Sequence, residues 1–363
     1  MRVFWKIALL LFILLAVFYF LDSRVKENEP LESPVKHGTA IPVPDKEFDE
    51  QQISGPERPK SGLSTFVGKN TIDLIEAFGE PDRIEPSSYG YEWWIYTDGY
   101  SFMAGVNDDE KVNQIFSADQ SVELKPFFVG QDINEIYRFS IIETEVNVVL
   151  GENVYTFTLN SQDLKDKILL KFEGLFAQIY VDGEEEIIEG VRFIDPKTLV
   201  VHQPYDMEYM GELMVARHPS SRAQMEVDRS MERQIFELTN FYREHHGLEP
   251  LENNYWLTTL AQNHSKDMAI GNYFSHESPS GGNLSERLKN SGIEHKKAGE
   301  NIASNYVDAI EAVHGWLNSP AHRSVLLDPD ATDIGTGAYG KFYTQVLIKS
   351  DPKKKTDSGL MQR

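Results

Sequence analysis

The sequence predicts an α+β protein that begins with a membrane-spanning helix, and three observations predict it. An unbroken apolar run opens the chain, a helix-then-strands pattern occurs twice in the middle, and the last third reads as three amphipathic helices followed by two strands. The 363 residues suffice for two domains of ordinary size. With 40% hydrophobic and 11% aromatic side chains, the chain can fill real cores.

The first element is a signal anchor over residues 1–22. Arg2 and Lys6 precede an apolar run from Ile7 to Leu21. Counting Val3 to Trp5 and a snorkelling Lys6, residues 3–21 approach the roughly 20 that span a bilayer. A cleaved signal peptide would end in small residues, whereas this run ends Val17-Phe18-Tyr19-Phe20-Leu21-Asp22. Retention in the cell membrane is therefore expected, and secretion would follow if the segment were cleaved. Trp5 and Tyr19 suit the two interfaces; Arg24 and Lys26 lie beyond the run, so charge alone does not orient it. Residues 23–62 carry Pro30, Pro34, Pro42, Pro44, Pro56 and Pro59 and read as a linker holding the folded part away from the membrane.

A two-repeat module is expected over residues 63–212. Phe66-Val67-Gly68 and Phe128-Val129-Gly130 each open a short helix, capped by Asn70 and Asp132. Ile72, Ile75 and Phe78 in one copy, and Ile133, Ile136 and Phe139 in the other, give an apolar face. Strands are expected at 91–96, 101–106 and 111–116, then at 153–159, 176–181 and 187–193, so each copy predicts its own small antiparallel sheet. Gly68, Gly79-Glu80-Pro81 and Tyr89-Gly90-Tyr91 make this module resemble the CAP-associated N-terminal domain of some Gram-positive, spore-forming bacteria. The cluster Tyr89, Tyr91, Trp93, Trp94 and Tyr96 could form a binding face, although strand alternation places half of it in the core. Residues 63–225 hold 12 basic and 29 acidic side chains, most of the formal net charge of −22. Such a field repels nucleic acid and favours solubility, or attraction of a cation or basic partner. The absence of cysteine excludes a thiol nucleophile and a lipoprotein anchor.

A polar hinge is expected at 213–230, a domain at 231–350 and a polar tail at 351–363. Met231, Ile235, Leu238 and Tyr242 form one helical stripe before Gly247. A second helix covers about 255–270, with Leu257, Leu260, Ala261, His264 and Met268 on one face. A third covers about 307–319, with Ile310, Val313 and Trp316 inward; strands follow at about 333–340 and 342–349.

Four stretches in this region line up: Asn272-Tyr273-Phe274-Ser275-His276-Glu277-Ser278-Pro279, Gly299-Glu300-Asn301-Ile302, Trp316-Leu317-Asn318-Ser319-Pro320-Ala321-His322-Arg323 and Tyr343-Thr344-Gln345. In that order and spacing the region resembles the bacterial branch of the CAP superfamily of cysteine-rich secretory, antigen-five and pathogenesis-related proteins. The resemblance implies a three-layer α/β/α sandwich with a cavity lined by two histidines and two acids, which in some members holds a divalent metal. It carries the first histidine onto His276 and the first acid onto Glu300. The second eukaryotic acid falls on Ser319 and the second histidine on Phe342, so two of four positions depart, and His322 stands in the bacterial pattern instead.

Two imidazoles and a carboxylate suit a zinc-like metal with an open position. His276, Glu300 and His322 are thus tentative metal ligands, with Ser319, Tyr343 and His264 as neighbours; no cofactor is required. The same trio are candidate catalytic residues, since a carboxylate raises the basicity of a nearby imidazole. A structural reading has Glu300 tying two loops together through histidine donors. No H-E-x-x-H or G-x-S-x-G motif is present, and Ser275 and Ser278 beside His276 lack an evident orienting acid. The expectation is a binding or interaction module at the cell envelope, more a non-enzyme than an enzyme, with an envelope protein, a small apolar ligand or a cation as partner. The alternative is a metal-assisted or acid/base hydrolase. His264 reads as a core histidine, His314 as solvent-exposed, and His37, His202 and His218 as lacking partners.

Overall fold

The computed structural model describes residues 25–35, 38–40, 55–97 and 101–350. The run at residues 3–21, where the expected membrane-spanning helix falls, lies outside the described residues, as do His37 and the tail 351–363. Among the described residues no helix is long and apolar enough to cross a membrane. Two compact units are present: one runs from Pro34 to Ser230, and the other joins the described residues before Pro34 to those from Met231 on.

Two short strands come first, β1 (Val25–Glu27) and β2 (Leu31–Glu32), and both belong to the C-terminal unit. The other unit contains β3 (Thr39–Ala40), α1 (Thr71–Phe78), β4 (Arg83–Pro86), β5 (Glu92–Tyr96), β6 (Phe102–Val106), β7 (Val112–Ser117), α2 (Ile133–Phe139), β8 (Glu145–Leu150) and β9 (Asn153–Thr158). It continues with α3 (Asp163–Asp166), β10 (Lys167–Phe172), β11 (Leu175–Asp182), β12 (Ile187–Ile194), α4 (Pro196–His202) and β13 (Asp206–Met210).

The two copies do not close two separate sheets. They join into one of seven strands, ordered β10-β11-β12-β7-β6-β5-β4, through an antiparallel pair that sets Val191 opposite Ser117 and Ile194 opposite Gln114. β7 is buried along its whole length, and such a strand left as an edge would expose an apolar, unpaired backbone. β9 leaves the second copy for a four-stranded sheet, β3-β13-β9-β8. The helix faces follow expectation only in part: Ile133 and Ile136 are buried and Phe78 packs against the core. Ile72 is 56% exposed and Phe139 86% exposed, while Thr71 and Leu74 are the buried positions of α1. Helices of eight and seven residues present only two turns, so one buried pair suffices to dock each.

Helix α5 (Ser221–His245) runs across the unit boundary, and the C-terminal unit takes it from Met231 and adds β14 (Glu252–Asn253), α6 (Tyr255–Gly271), α7 (Leu284–Asn290), β15 (Lys297–Ser304), α8 (Ala309–Leu317), α9 (Pro320–Leu326), β16 (Asp333–Tyr339) and β17 (Phe342–Lys349). The stretch expected as a hinge is helical from Ser221. Its polar residues still support a helix through i,i+3 and i,i+4 pairs, Arg229 with Glu226 at 3.0 Å and Gln224 with Asp228 at 2.7 Å.

The sheet order is β1-β15-β17-β16-β14, with β2 also on β15. Parts of the expected linker, β1 and β2, are therefore strands of this sheet. Side chains alternate cleanly. Ala298, Val346 and Ile348 share a core with Leu257, Leu260 and Ala261 of α6 and Leu284 and Leu288 of α7. Ile334 and Leu347, on the other face, pack with Val325 of α9, with Phe236 of α5 against them. Helices therefore cover both faces, giving three layers. Gly335 and Gly337 set the spacing: a Cβ there would lie 2.1 and 2.2 Å from the α6 backbone at Leu257 and Ala261. Only glycine lets α6 lie that close.

Candidate functional site

β15 carries the Gly299-Glu300-Asn301 motif, and adjacent residues of it serve opposite faces. Glu300 is fully buried on the α6/α7 face. Its Oε1 lies 2.8 Å from His276 Nδ1 and 3.9 Å from His264 Nε2, and its Oε2 accepts from Arg287 Nη2 at 2.5 Å. Burial, the largest influence, would raise the Glu300 pKa; the His276 hydrogen bond and the Arg287 and histidine charges outweigh it and hold the carboxyl at about 2.

The sequence reading missed Arg287. It sits on α7 between Leu284 and Leu288, on the buried side of a short helix whose start is fixed by an Asn283/Glu286 capping box. An arginine at an apolar position demands a buried anion, and that was the available signal. Its Nη1 also donates to the His276 carbonyl at 2.5 Å, so one guanidinium ties the histidine loop to the carboxylate.

The loop after α6 leaves through Asn272 in the left-handed region. Ser278 donates to Asp267 Oδ2 at 2.6 Å, and Tyr273 donates to the same oxygen at 2.5 Å. Ser275 Oγ accepts from the Glu277 backbone at 3.1 Å. The loop is thereby pinned, and Ser278 commits its hydroxyl to Asp267 rather than to His276.

His322 lies in the first turn of α9, two residues after Pro320 at the helix start. Its Nδ1 is 2.7 Å from Ser319 Oγ. Thus Ser319, at the position of the eukaryotic acid, orients a histidine instead. Burial, and then the nearby His276, depress the His322 pKa to about 4, against a smaller raising influence from the Glu29 backbone. Burial likewise lowers His264 to about 4. Both rings are neutral at pH 7. The Nε2 atoms of His276 and His322 are buried with no hydrogen-bond partner, as are both nitrogens of His264.

His276, Glu300 and His264 are thus brought together, and His322 stands close enough to His276 for their charges to interact. As a set of three direct ligands the expected trio does not converge. Among the described residues of the C-terminal unit, no three imidazole or carboxylate groups bring one ligand atom each within 4.8 Å of one another. Glu300 is instead taken up by Arg287 and His276. Tyr343 faces the other side of the sheet, where its hydroxyl reaches the Tyr306 carbonyl at 3.4 Å. Phe342 packs its ring on Phe274 at 6.1 Å.

On that other side Asn301 organises a neutral network. Its Nδ2 donates to the His322 carbonyl at 3.2 Å and to Gln345 Oε1 at 3.0 Å, and Gln345 donates on to Thr239 at 2.7 Å. Two other histidine expectations are corrected. His314 is 4% exposed and contacts Asn318 one turn on, because α8 is buried nearly all round. His202 is buried against the Tyr89 ring, with its Nε2 3.2 Å from the Tyr91 hydroxyl. In the aromatic cluster Tyr91, Trp93 and Tyr96 are buried, and Tyr89 and Trp94 are half-buried.

A fold of three layers with a histidine–glutamate cluster at the end of α6 defines a CAP domain. The cysteine-rich secretory protein family matches residues 236–347, and the CAP-associated N-terminal family matches residues 67–205. The chain belongs to the bacterial CAP superfamily and carries the associated N-terminal domain. It is 37% identical over 319 residues to the Bacillus subtilis (strain 168) membrane protein YlbC, covering 85% of this chain and 92% of the relative. The B. subtilis protein YkwD is 41% identical over 119 residues, 32% of this chain and 46% of that one. Among solved structures, an extracellular SCP-domain protein of Bacillus anthracis str. Ames is 33% identical with a TM-score of 0.76, covering 85% of this chain and all of that one. A cysteine-rich secretory protein of Staphylococcus aureus, 24% identical with a TM-score of 0.75 over 90% of this chain and all of that one, shares the fold.

Proposed function

We propose that the protein is a membrane-anchored, extracytoplasmic binding module of the bacterial envelope, and that its C-terminal unit holds a zinc-like divalent cation between His276 and His322. The observation that carries this reading is the state of the two rings. Each has its Nδ1 engaged, one by Glu300 and one by Ser319, and each leaves a buried Nε2 without a hydrogen-bond partner. A metal-binding imidazole is typically oriented in this way, by a carboxylate or other acceptor on its far nitrogen. Glu300 is then the orienting group rather than a ligand, and water would complete the coordination. Envelope placement is supported by the apolar run at residues 3–21 and by the relatives described as a membrane protein and an extracellular protein. With Ser278 committed to Asp267, any hydrolysis here would run through water held at the imidazole pair rather than through a serine.

Calorimetric titration of the full chain with Zn²⁺ or Co²⁺ tests the reading. One cation per chain is expected, lost in both His276→Ala and His322→Ala and weakened about 10–100-fold in Glu300→Gln. Cation uptake by either histidine variant equal to that of the wild type would sink it.

A further inference from the structure

The strand beside the cluster is unusual in its origin. β15 would be an edge of the sheet but for residues 25–33, which come from the other end of the chain. β1 runs parallel to β15, with Val25 opposite Ala298 and Glu27 opposite Glu300. β2 resumes with Leu31 opposite Ala303 and Glu32 opposite Ser304. Three residues of this strap, Asn28 to Pro30, therefore stand against two of β15, Asn301 and Ile302, and the one surplus residue is taken up around Glu29 and Pro30, which are exposed. The bulge falls beside the site, since Asn28 at its start bonds the Asn301 side chain that also holds the His322 carbonyl. Three further contacts seat the strap. Asn28 Nδ2 donates to Asn301 Oδ1, Ser33 N donates to the Ser304 carbonyl, and Asn305 Nδ2 donates to Glu32 Oε1, each at 3.0 Å.

We propose that the β15 edge is a strand-accepting groove for an extended peptide, and that residues 25–33 are its resident occupant in cis. The groove recognises main-chain groups, an amide side chain opposite Asn301, and a carboxylate at Asn305. An external peptide repeating that pattern adds as a parallel strand by displacing the strap. Displacement is feasible because the strap pairs through only three and two residues, interrupted by a proline that has no N–H to donate. Asn301 couples the groove to the site, since the side chain that holds Asn28 also holds the His322 carbonyl. The arrangement also changes the geometry at the membrane. If residues 3–21 span the bilayer, only Asp22, Ser23 and Arg24 separate the anchor from β1, so the groove lies at the membrane surface.

This inference rests on reading the C-terminal unit as a binding module, but it fails independently of the metal, because cation uptake is measured with the strap in place. The test uses the full chain held on beads by its N-terminus, with a protease site inserted after Pro34. After cutting, the folded part is held only by strap pairing. It should stay on the beads, and excess peptide spanning Arg24–Pro34 should release it at least ~10-fold faster than a scrambled peptide. Asn301→Ala should speed spontaneous release about 5–20-fold. The chain contains no cysteine, so an Asn28→Cys/Asn301→Cys pair forms an unambiguous lock: oxidised it should resist the peptide, reduced it should release. Immediate loss on cutting, unfolding on cutting, or release no faster with the true peptide than with the scrambled one would each overturn the proposal; the last would make the strap a permanent edge cover.

Discussion

Glu300 and Asn301 are neighbours in one strand, both fully buried, yet they stabilise the protein by different means. On one face a carboxylate is balanced by a guanidinium and an imidazole. On the other a neutral amide bridges a carbonyl, a second amide and the strap. The charged side is an all-or-nothing arrangement, because burying an ion is costly unless every partner is present. The neutral side loses its partners one at a time. Two adjacent residues thus separate what must be intact for folding from what can move during binding.

Breaking the charged face should have the largest effect. Arg287→Ala leaves Glu300 buried without its cation and should cost about 3–5 kcal/mol in chemical denaturation of the C-terminal unit. Pairing it with Glu300→Gln should recover part of that loss; no recovery would mean Arg287 acts mainly through the His276 carbonyl. Breaking the neutral face is the milder change. Asn301→Ala should cost about 1–3 kcal/mol, since it leaves neutral acceptors, Gln345 Oε1 and the His322 carbonyl, short of a donor rather than an ion short of its counter-charge. A cost equal to that of Arg287→Ala would erase the contrast.

A third test sharpens the comparison through pH. His264 and His322 have folded pKa values near 4 against about 6.5 unfolded. The unfolded chain therefore binds more protons in that window, and stability falls as pH drops from 6.5 towards 4. The contribution is fully present above pH 6.5 and is lost progressively as the pH falls towards 4. Glu300, with its pKa lowered to about 2, adds a further loss only below its ordinary range. Thermal melts of the wild type and of a His264→Asn/His322→Asn variant check this: the variant should show a flatter profile between pH 6.5 and 4.

Much of the C-terminal unit was legible because its helices obey simple periodicities. Leu257, Leu260, Ala261, His264 and Met268 form the buried stripe of α6 as expected, and motif order led directly to His276 and Glu300. The partner of Glu300 was harder to see. Arg287 lies 13 residues upstream in sequence, and only the docking of α7 on the sheet brings it to 2.5 Å. The repeat module shows the same boundary. Its strands were readable one by one, but their merger into a single seven-stranded sheet depends on one non-local pairing, β12 with β7.

By itself the sequence determined the apolar opening run, the acidic middle, the helix stripes and the two histidines and glutamate that mark the site. These are local matters of period, composition and spacing. Only the tertiary structure decided that Glu300 serves as an anion for Arg287 and His276, that Ser319 orients His322, and that a proline-containing linker becomes a strand beside them. Each of those outcomes depends on contacts between residues far apart in the chain, and no local pattern encodes which distant group will arrive.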